Sequence, residues 1–348
     1  MADTKKPVCV TISALEGGQI TLPELFFVAP ADPEKRTLVP SLSFLIQHPG
    51  HDGGEITRVV FDLGVKRDLT GYKPAQQAHI ANRQPVLVDP DCAASLRWGA
   101  NKPQRVDAGA EGEKLLDPSK DIHIVILSHV HWDHVGTSSD FSNATFAVGS
   151  GTLNVLKNGA GPLYPAEMFN DDELPASRTV EFPPVPIRDE RTGYESGTGA
   201  PKHTPASADT LARLPVHFEK WSWQPLAGFP HALDFFGDGS LYVIDSPGHI
   251  YGHVNLFARI ADNKYVYLGG DCCHDRRILS GEKRIAMYDD GRGGLRSVHM
   301  HTERAKGTLA RIGEFLEHTR NTADVEIVLA HDVYWREQNW HRFWPGNL

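Results

Sequence analysis

The sequence is poor in the features that mark secreted, membrane-spanning and nucleic-acid-binding proteins. Among its 348 residues there are only four cysteines, whose spacing gives neither a disulfide framework nor a C-x-x-C pair: Cys9, Cys92, Cys272 and Cys273. No apolar run reaches the roughly 18 residues that a transmembrane helix needs, and the N-terminus has no long apolar segment typical of a secretory signal. We therefore predict a cytoplasmic protein with no membrane partner.

Positive charge is also scarce. Lysine and arginine together number 35 against 44 aspartates and glutamates, which gives a formal net charge of −9. Because binding to a phosphate backbone needs a basic surface, this balance argues against a nucleic-acid partner. Hydrophobic residues make up 40% of the chain, which is enough for a sizeable core.

Histidine, in contrast, is concentrated in one short stretch. Four potential metal ligands lie within six residues: His129, His131, Asp133 and His134. They follow the almost wholly apolar residues 122–127, a pattern that predicts a buried strand ending where the ligands begin. A strand end is a rigid support on which alternate side chains point the same way, as a metal site requires. We interpret the stretch as a metal site rather than as an ordinary polar loop.

The spacing H-x-H-x-D-H resembles the signature of the metallo-β-lactamase fold hydrolases. Three further residues follow apolar strand-like segments in the order expected of that family, namely His249, Asp271 and His331. The resemblance covers roughly residues 40 to 335. It implies an α/β fold of the αββα sandwich type, in which two mixed sheets lie face to face, helices cover them, and metals bind at one edge.

The resemblance also implies two divalent metal ions and no other cofactor. His129, His131 and His249 would hold the first ion, Asp133, His134 and His331 the second, and Asp271 would bridge them. These nitrogen and oxygen ligands suit zinc, with iron or manganese as alternatives. A metal-bound hydroxide would then attack a carbonyl, and Asp133 would orient it or take its proton.

Further residues are assigned roles by the same resemblance. His274 stands where homoserine-lactone lactonases carry a tyrosine, so we predict that it donates a hydrogen bond to the substrate carbonyl or oxyanion. Asp62 and His253 are predicted to hold the site in place from behind the ligands, although Asp62 is equally a candidate turn cap. Cys272 and Cys273 are predicted to be buried apolar neighbours, and His299 and His301 to have no metal role.

Residues 268–274 and 235–249 resemble a fungal lactonase- and lactamase-like branch of the superfamily, which includes benzoxazolinone-opening γ-lactamases. The best hypothesis is a detoxifying lactamase that opens benzoxazolinone-type or other γ-lactams, so that the partner is a small cyclic molecule. The alternatives are a lactonase, including the homoserine-lactone type, a glyoxalase II-like thioesterase, and a di-iron persulfide dioxygenase.

We predict a single domain over residues 1–348, with a Pro- and Gly-rich insertion or lid at 150–231. Such a long irregular stretch is typical of functional loops. Its aromatic residues are expected either to wall a substrate pocket or to anchor the insertion to the body: Tyr164, Phe169, Trp221, Trp223 and Phe229. Elsewhere the pattern predicts a hairpin of residues 41–47 and 58–62 and an amphipathic helix over 302–317.

Overall fold

A computed structural model describes residues 6–50, 54–99, 116–186 and 201–348. Within these ranges the chain forms two six-stranded sheets, and we number their strands along the chain. In spatial order, the first sheet contains β1 (Thr11–Leu15), β5 (Ser43–His48), β6 (Thr57–Phe61), β7 (Ile124–Ile126), β8 (Thr145–Val148) and β9 (Thr179–Glu181). The second contains β10 (Gln224–Leu226), β11 (Phe229–Asp234), β12 (Leu241–Asp245), β13 (Val254–Ala261), β14 (Lys264–Leu268) and β18 (Asp324–Val328).

The remaining described elements are short strand pairs and helices. The small pairs are β2 (Gln19–Pro23) with β4 (Arg36–Pro40), β3 (Val28–Ala29) with β15 (Arg284–Ile285), and β16 (Tyr288–Asp289) with β17 (Leu295–Arg296). The α-helices are α1 (Pro74–Ala81), α2 (Cys92–Trp98), α3 (Pro118–Asp121), α4 (Thr152–Asn158), α5 (Ala208–Leu211), α6 (Arg276–Leu279), α7 (Thr302–Thr319) and α8 (Val333–Gln338). Short 3₁₀ turns span Glu24–Phe26, Leu69–Gly71, Ser138–Asp140, Ala166–Met168, Ala176–Arg178, Phe218–Lys220 and Trp340–Arg342.

The apolar pattern of the strands creates three layers of core. Successive side chains on a strand point to opposite faces, so Val59 and Phe61 of β6 join the cluster between the two sheets, whereas Val60 joins the outer one. The inner cluster includes Leu256 of the second sheet, so the two sheets face each other across it. The outer face of the first sheet packs on α2 and α4.

Helix α7 covers the outer face of the second sheet. Its side chains Ile312 and Phe315 are buried in one cluster with Phe257 of β13 and Tyr267 of β14. The order of layers is therefore helix, sheet, sheet, helix, and the predicted αββα sandwich is confirmed. The predicted amphipathic helix is also confirmed, and the structure extends it to Thr319.

The predicted hairpin is confirmed by the antiparallel pairing of β5 and β6, in which Gln47 lies opposite Arg58. Strands β6, β7, β8 and β9 then pair in parallel, as do β14 and β18. Because parallel neighbours end at the same edge of a sheet, the residues that follow these strands are brought together. No helix within the described ranges is long and apolar enough to cross a membrane.

The segment 150–231 is more regular than its composition indicates. Residues 187–200 lie outside the described part of the chain, but the rest contains α4, α5 and two sheet strands, β9 and β10. Trp221 and Trp223 are buried in the core between the sheets, and Phe229 lies in the outer core beside α7. These three aromatic residues therefore anchor the segment. The single-domain boundary and the lid remain predictions.

Candidate metal centre

The predicted ligands meet at the edge of the sandwich where several strands end. His129 follows β7, His249 follows β12, Asp271 follows β14 and His331 follows β18, each within four residues of the last strand residue. The sequence folds this way locally because each apolar strand is followed by a polar turn. All seven predicted ligands fall into groups whose ligand atoms lie within 4.8 Å of one another.

The first group contains three histidines whose ring nitrogens face one another. His131 Nδ1 lies 2.9 Å from His129 Nε2 and 2.9 Å from His249 Nε2. Burial lowers the pKa of His131 to about 4 and holds the pKa values of His129 and His249 well below the ordinary range. All three rings are therefore neutral near pH 7, the form in which imidazole binds a metal.

The second group contains Asp133, His134 and His331. His331 Nε2 lies 3.7 Å from Asp133 Oδ2, and the rings of His134 and His331 pack edge to face at 5.5 Å. Burial alone would lower the pKa of His134, but the carboxylates of Asp271 and Asp62 raise it well above the usual value. A cation that binds at His134 Nε2 must therefore displace a proton.

Asp271 lies between the two groups. Its Oδ2 is 3.4 Å from His249 Nε2, while its Oδ1 is 3.2 Å from both His134 Nε2 and His331 Nε2. Burial opposes ionisation of this carboxyl, yet His134, His331 and His274 hold its pKa well below the usual range. The structure thus places an anionic carboxylate with one oxygen towards each group.

The donor atoms of this centre fit divalent metal ions. Although His134 Nε2, His331 Nε2 and Asp271 Oδ1 approach one another, all three are buried and, among the described residues, make no hydrogen bond of acceptable geometry. An unpaired buried polar atom is costly, and coordination to a cation removes that cost. The ligand set contains only nitrogen and oxygen, which suits zinc, iron or manganese.

Residues behind the ligands set their orientation. Asp62 follows β6; its Oδ1 accepts from Ser128 N at 2.6 Å, and its Oδ2 accepts from Ser128 Oγ at 2.7 Å and pairs with His134 Nδ1 at 2.8 Å. On the other side, His331 Nδ1 donates to the Pro40 carbonyl at 2.7 Å, which leaves Nε2 facing the centre. Such contacts select the tautomer and the ring orientation of a metal ligand.

Replacing Asp62 with Asn is expected to weaken metal binding about 10- to 100-fold, because the amide nitrogen cannot accept the bonds that fix Ser128 and His134. Asn is a suitable probe because it tolerates the φ of 57° that Asp62 adopts. The measurement is a metal competition titration with a chromogenic chelator. Asp68→Asn, which changes an exposed aspartate, is the control, and equal metal affinity in both variants would contradict the role of Asp62.

His253 and His299 also contact the centre from behind. His253 Nδ1 donates to the Ser246 carbonyl at 3.1 Å, and its Nε2 accepts from Asp271 N at 3.1 Å, so His253 is the acceptor that fixes the backbone of Asp271. His299 Nδ1 lies 3.2 Å from His249 Nδ1. No metal role was predicted for His299. No regular spacing relates it to His249, because their contact arises from the packing of a distant loop.

His274 occupies a position with two possible functions. Its Nε2 lies 3.0 Å from Asp271 Oδ2, and its ring stacks on His331 at 5.6 Å. Asp271, His274 and His331 form a third group that could hold a metal ion. The geometry is therefore compatible with the predicted hydrogen-bond donor and with an additional ligand.

A cavity opens directly onto the metal ligands. Its walls are mainly apolar and come from segments far apart in the sequence: Ile20, Leu22, Phe27, Trp132, Tyr164, Met168, Phe169 and Val298. The Tyr164 ring lies 4.9 Å from that of His131, and Phe169 stacks parallel to His131 at 6.4 Å. Of the five aromatic residues that the sequence analysis named in segment 150–231, these two line the cavity. The contribution of β2 was not anticipated from the sequence.

The fold and this group of ligands define the class of the chain. The family model described as the metallo-beta-lactamase superfamily matches residues 104–263, so the chain contains a metallo-beta-lactamase superfamily domain. A metallo-hydrolase, mfmC, from Annulohypoxylon moriforme is 30% identical over 260 residues, which cover 74% of this chain and 54% of that protein. The chain therefore spans about half the length of this relative.

Two further comparisons agree with this class. The gamma-lactamase MBL2 of Gibberella moniliformis is 27% identical over 234 residues, covering 66% of this chain and 74% of that protein. A solved N-acyl homoserine lactone hydrolase, with its product N-hexanoyl-L-homoserine at the catalytic metal center, aligns with 99% of this chain and 100% of its own at a TM-score of 0.59. At 14% identity, this likeness concerns the fold alone.

Proposed function

We propose that the chain is a dinuclear metal-dependent hydrolase that opens a small cyclic amide or ester. The first candidate substrates are γ-lactams, including benzoxazolinone-type rings, which would make it a detoxification enzyme. The observation that carries the proposal is the position of Asp271, whose two oxygens face separate histidine groups. The relationship to a gamma-lactamase supports the choice of a cyclic amide.

Zinc is our proposal for both ions. His129, His131 and His249 would hold one ion, Asp133, His134 and His331 the other, and Asp271 would contact both. When bound, such ions polarise a carbonyl group and lower the pKa of a water ligand towards about 7.

The chain's own residues would supply positioning and proton transfer. Asp133 lines the cavity and has an oxygen near His331. Its carboxylate would orient an attacking water and accept its proton. His274 Nε2 would donate a hydrogen bond to the developing oxyanion. The apolar walls at Phe27 and Tyr164 would exclude bulk water and thereby strengthen these polar contacts.

Replacing His274 with Ala is expected to lower kcat about 10- to 1,000-fold without loss of metal, since one oxyanion donor is removed. Activity is measured by turnover, and metal content by mass spectrometry of the acid-digested protein. His274→Gln keeps a side-chain N–H and should recover part of the activity. Loss of metal in the Ala variant would instead make His274 a ligand, and unchanged kinetics would remove it from the reaction.

The experiment that tests the proposed function is mass-spectrometric detection of water addition to a panel of compounds. The panel contains benzoxazolinone, a simple γ-lactam, a γ- and a δ-lactone, an N-acyl homoserine lactone and a glutathione thioester. We expect the lactam and benzoxazolinone rings to open. Turnover of lactones or of the thioester alone would shift the assignment to a lactonase or a thioesterase, and no turnover by fully metallated protein would contradict the proposal.

A further inference from the structure

One wall of the cavity is polar, and the proposed chemistry makes no use of it. Gln76 and His79 lie on α1 and Arg83 follows it closely, and all three line the cavity together with Asp133 and His331. Their spacing of three and seven residues puts them on the same helical face as the buried Ile80. The face of α1 that packs against the protein body is thus also the face that meets the cavity.

Two groups on this wall have unused hydrogen-bonding capacity. The Gln76 side chain is only 3% exposed, and its Nε2 has no hydrogen-bond partner in the part of the chain that is described. Arg83 carries its guanidinium carbon 5.7 Å from the centre of the Phe27 ring, and among the described residues no carboxylate pairs with it. Arg336, which is also partly buried, is in contrast paired with Glu16 at 2.8 Å.

The charge on this wall comes from Arg83. Burial lowers the pKa of His79 to about 4, so this ring is neutral at neutral pH. Burial also lowers the pKa of Arg83, but an arginine remains protonated at neutral pH. A partly buried cation and an unpaired amide N–H that line the same cavity are suited to bind an anionic oxygen group.

We propose that Arg83 and Gln76 bind a carboxylate carried by the cyclic substrate, away from the bond that is hydrolysed. This inference rests on the proposed function and names its substrate class as carboxylated cyclic amides or esters. A guanidinium donates two parallel N–H bonds to a carboxylate, and the amide of Gln76 supplies another donor. The proposed substrate is therefore an anion, and it would bind at a locally positive site of a chain whose net charge is −9.

The position of Phe27 indicates where the carboxylate binds relative to the reacting carbonyl. The centre of the Phe27 ring lies 5.7 Å from the Arg83 guanidinium carbon and 4.8 Å from the centre of the His274 ring. Phe27 is therefore a neighbour of both Arg83 and the proposed oxyanion donor. A flat substrate lying along Phe27 would reach His274 with its carbonyl and Arg83 with a substituent on the far side of its ring.

The test compares benzoxazolinone-5- and -6-carboxylic acids with their methyl esters, which have nearly the same shape but no charge. For the wild-type protein we expect a lower KM for at least one acid than for its ester. In Arg83→Met, the ratio of kcat/KM for that acid to kcat/KM for its ester should fall about 10- to 100-fold, the effect of losing hydrogen bonds to a charged group. Arg83→Lys keeps the positive charge but loses the two parallel N–H donors, so its acid-to-ester ratio should lie between those of the wild type and Arg83→Met.

Arg36→Met is the matched control. Arg36 lies next to Arg83, but its guanidinium bonds the backbone carbonyls of Asn82 and Gln84 on the exposed side, so the acid-to-ester ratio should not change. Gln76→Leu, which has a similar volume, gives a second test and should reduce the same ratio even if the Arg83 variants fold poorly. A wild type without preference for either acid, or variants that affect acid and ester equally, would overturn the inference.

Calorimetric binding of the preferred acid distinguishes failure of the inference from failure of the proposed function. If no ring opens but the metallated wild type binds the acid and Arg83→Met does not, the proposed reaction is wrong and the carboxylate site stands. If rings open and the acid-to-ester ratio is the same in all variants, the reaction stands and the carboxylate site is wrong.

Discussion

Replacing Asp271 with Ala is expected to remove bound metal and ring-opening activity together. The carboxylate places one oxygen 3.4 Å from His249 Nε2 and the other 3.2 Å from His134 Nε2, so both histidine groups lose a ligand at once. Without it, the first group keeps only imidazoles, and the second keeps Asp133 as its one carboxylate. We expect activity to fall by about a thousandfold or more, since both carbonyl polarisation and water activation depend on the bound ions.

The measurement is metal content per chain by mass spectrometry, together with turnover of the best substrate from the panel. Asp245→Ala is the matched control, because this aspartate ends strand β12 of the same sheet and belongs to none of the metal-binding groups. The control should keep its metal and its activity. An Asp271→Ala protein that is active and fully metallated would refute the bridging position.

Replacing Gly64 with Ala is expected to cause a large loss of stability. Gly64 has a φ of 70°, and a Cβ at this position would overlap the backbone of Gly17, including its carbonyl oxygen, which cannot move aside as a flexible side chain would. The left-handed conformation adds its own cost for alanine. Together we expect a loss of about 3 kcal/mol or more in the free energy of unfolding.

The Gly64→Ala substitution would also affect the segment that carries the metal ligands. The Gly64 carbonyl accepts from Gly136 N at 2.9 Å, two residues after His134, and Leu63 N donates to the His134 carbonyl at 2.8 Å. A shift of Gly64 therefore displaces the segment that carries the ligands, and metal affinity should fall along with stability.

Urea denaturation measures the effect as a lower midpoint at an unchanged m-value. Gly307→Ala in α7 is the control: a Cβ there meets no atom within 4 Å, and alanine is expected to raise stability by about 0.5–1 kcal/mol in a helix. A Gly64→Ala protein within about 0.5 kcal/mol of the wild type would contradict the close backbone crossing.

Local patterns explain why much of the site could be predicted from the sequence. His129, His131, Asp133 and His134 are neighbours in the chain, so one turn brings them together whatever the rest of the fold does. The family resemblance implied His249, Asp271 and His331, and each of them follows an apolar strand. The strands before Asp271 and His331 pair in parallel and therefore end at one edge. The strand before His249 runs in the same direction, because both it and β14 are antiparallel to β13. For Asp62 the pattern left two roles open, and the contact with His134 Nδ1 favours the role of support behind the ligands.

Composition was a poorer guide in the segment 150–231. Prolines and glycines there predicted an irregular insertion, yet β9 pairs with β8 and β10 with β11, so part of the segment completes both sheets. Strand pairing depends on partners elsewhere in the chain, which local composition does not report. Tertiary contacts also decided that Trp221 and Trp223 anchor the segment while Tyr164 and Phe169 line the cavity.

From the sequence, the resemblance to the metallo-β-lactamase fold hydrolases implied the layered α/β fold and the order of the ligands. Apolar runs followed by turn residues marked the strand ends that carry the ligands, because such patterns act over short distances. Only the tertiary structure decided which residues surround that centre. His299 meets His249 across 50 residues, and Gln76 and Arg83 reach the cavity because α1 packs beside it. Such contacts are set by the packing of distant elements, which leaves no regular spacing in the chain.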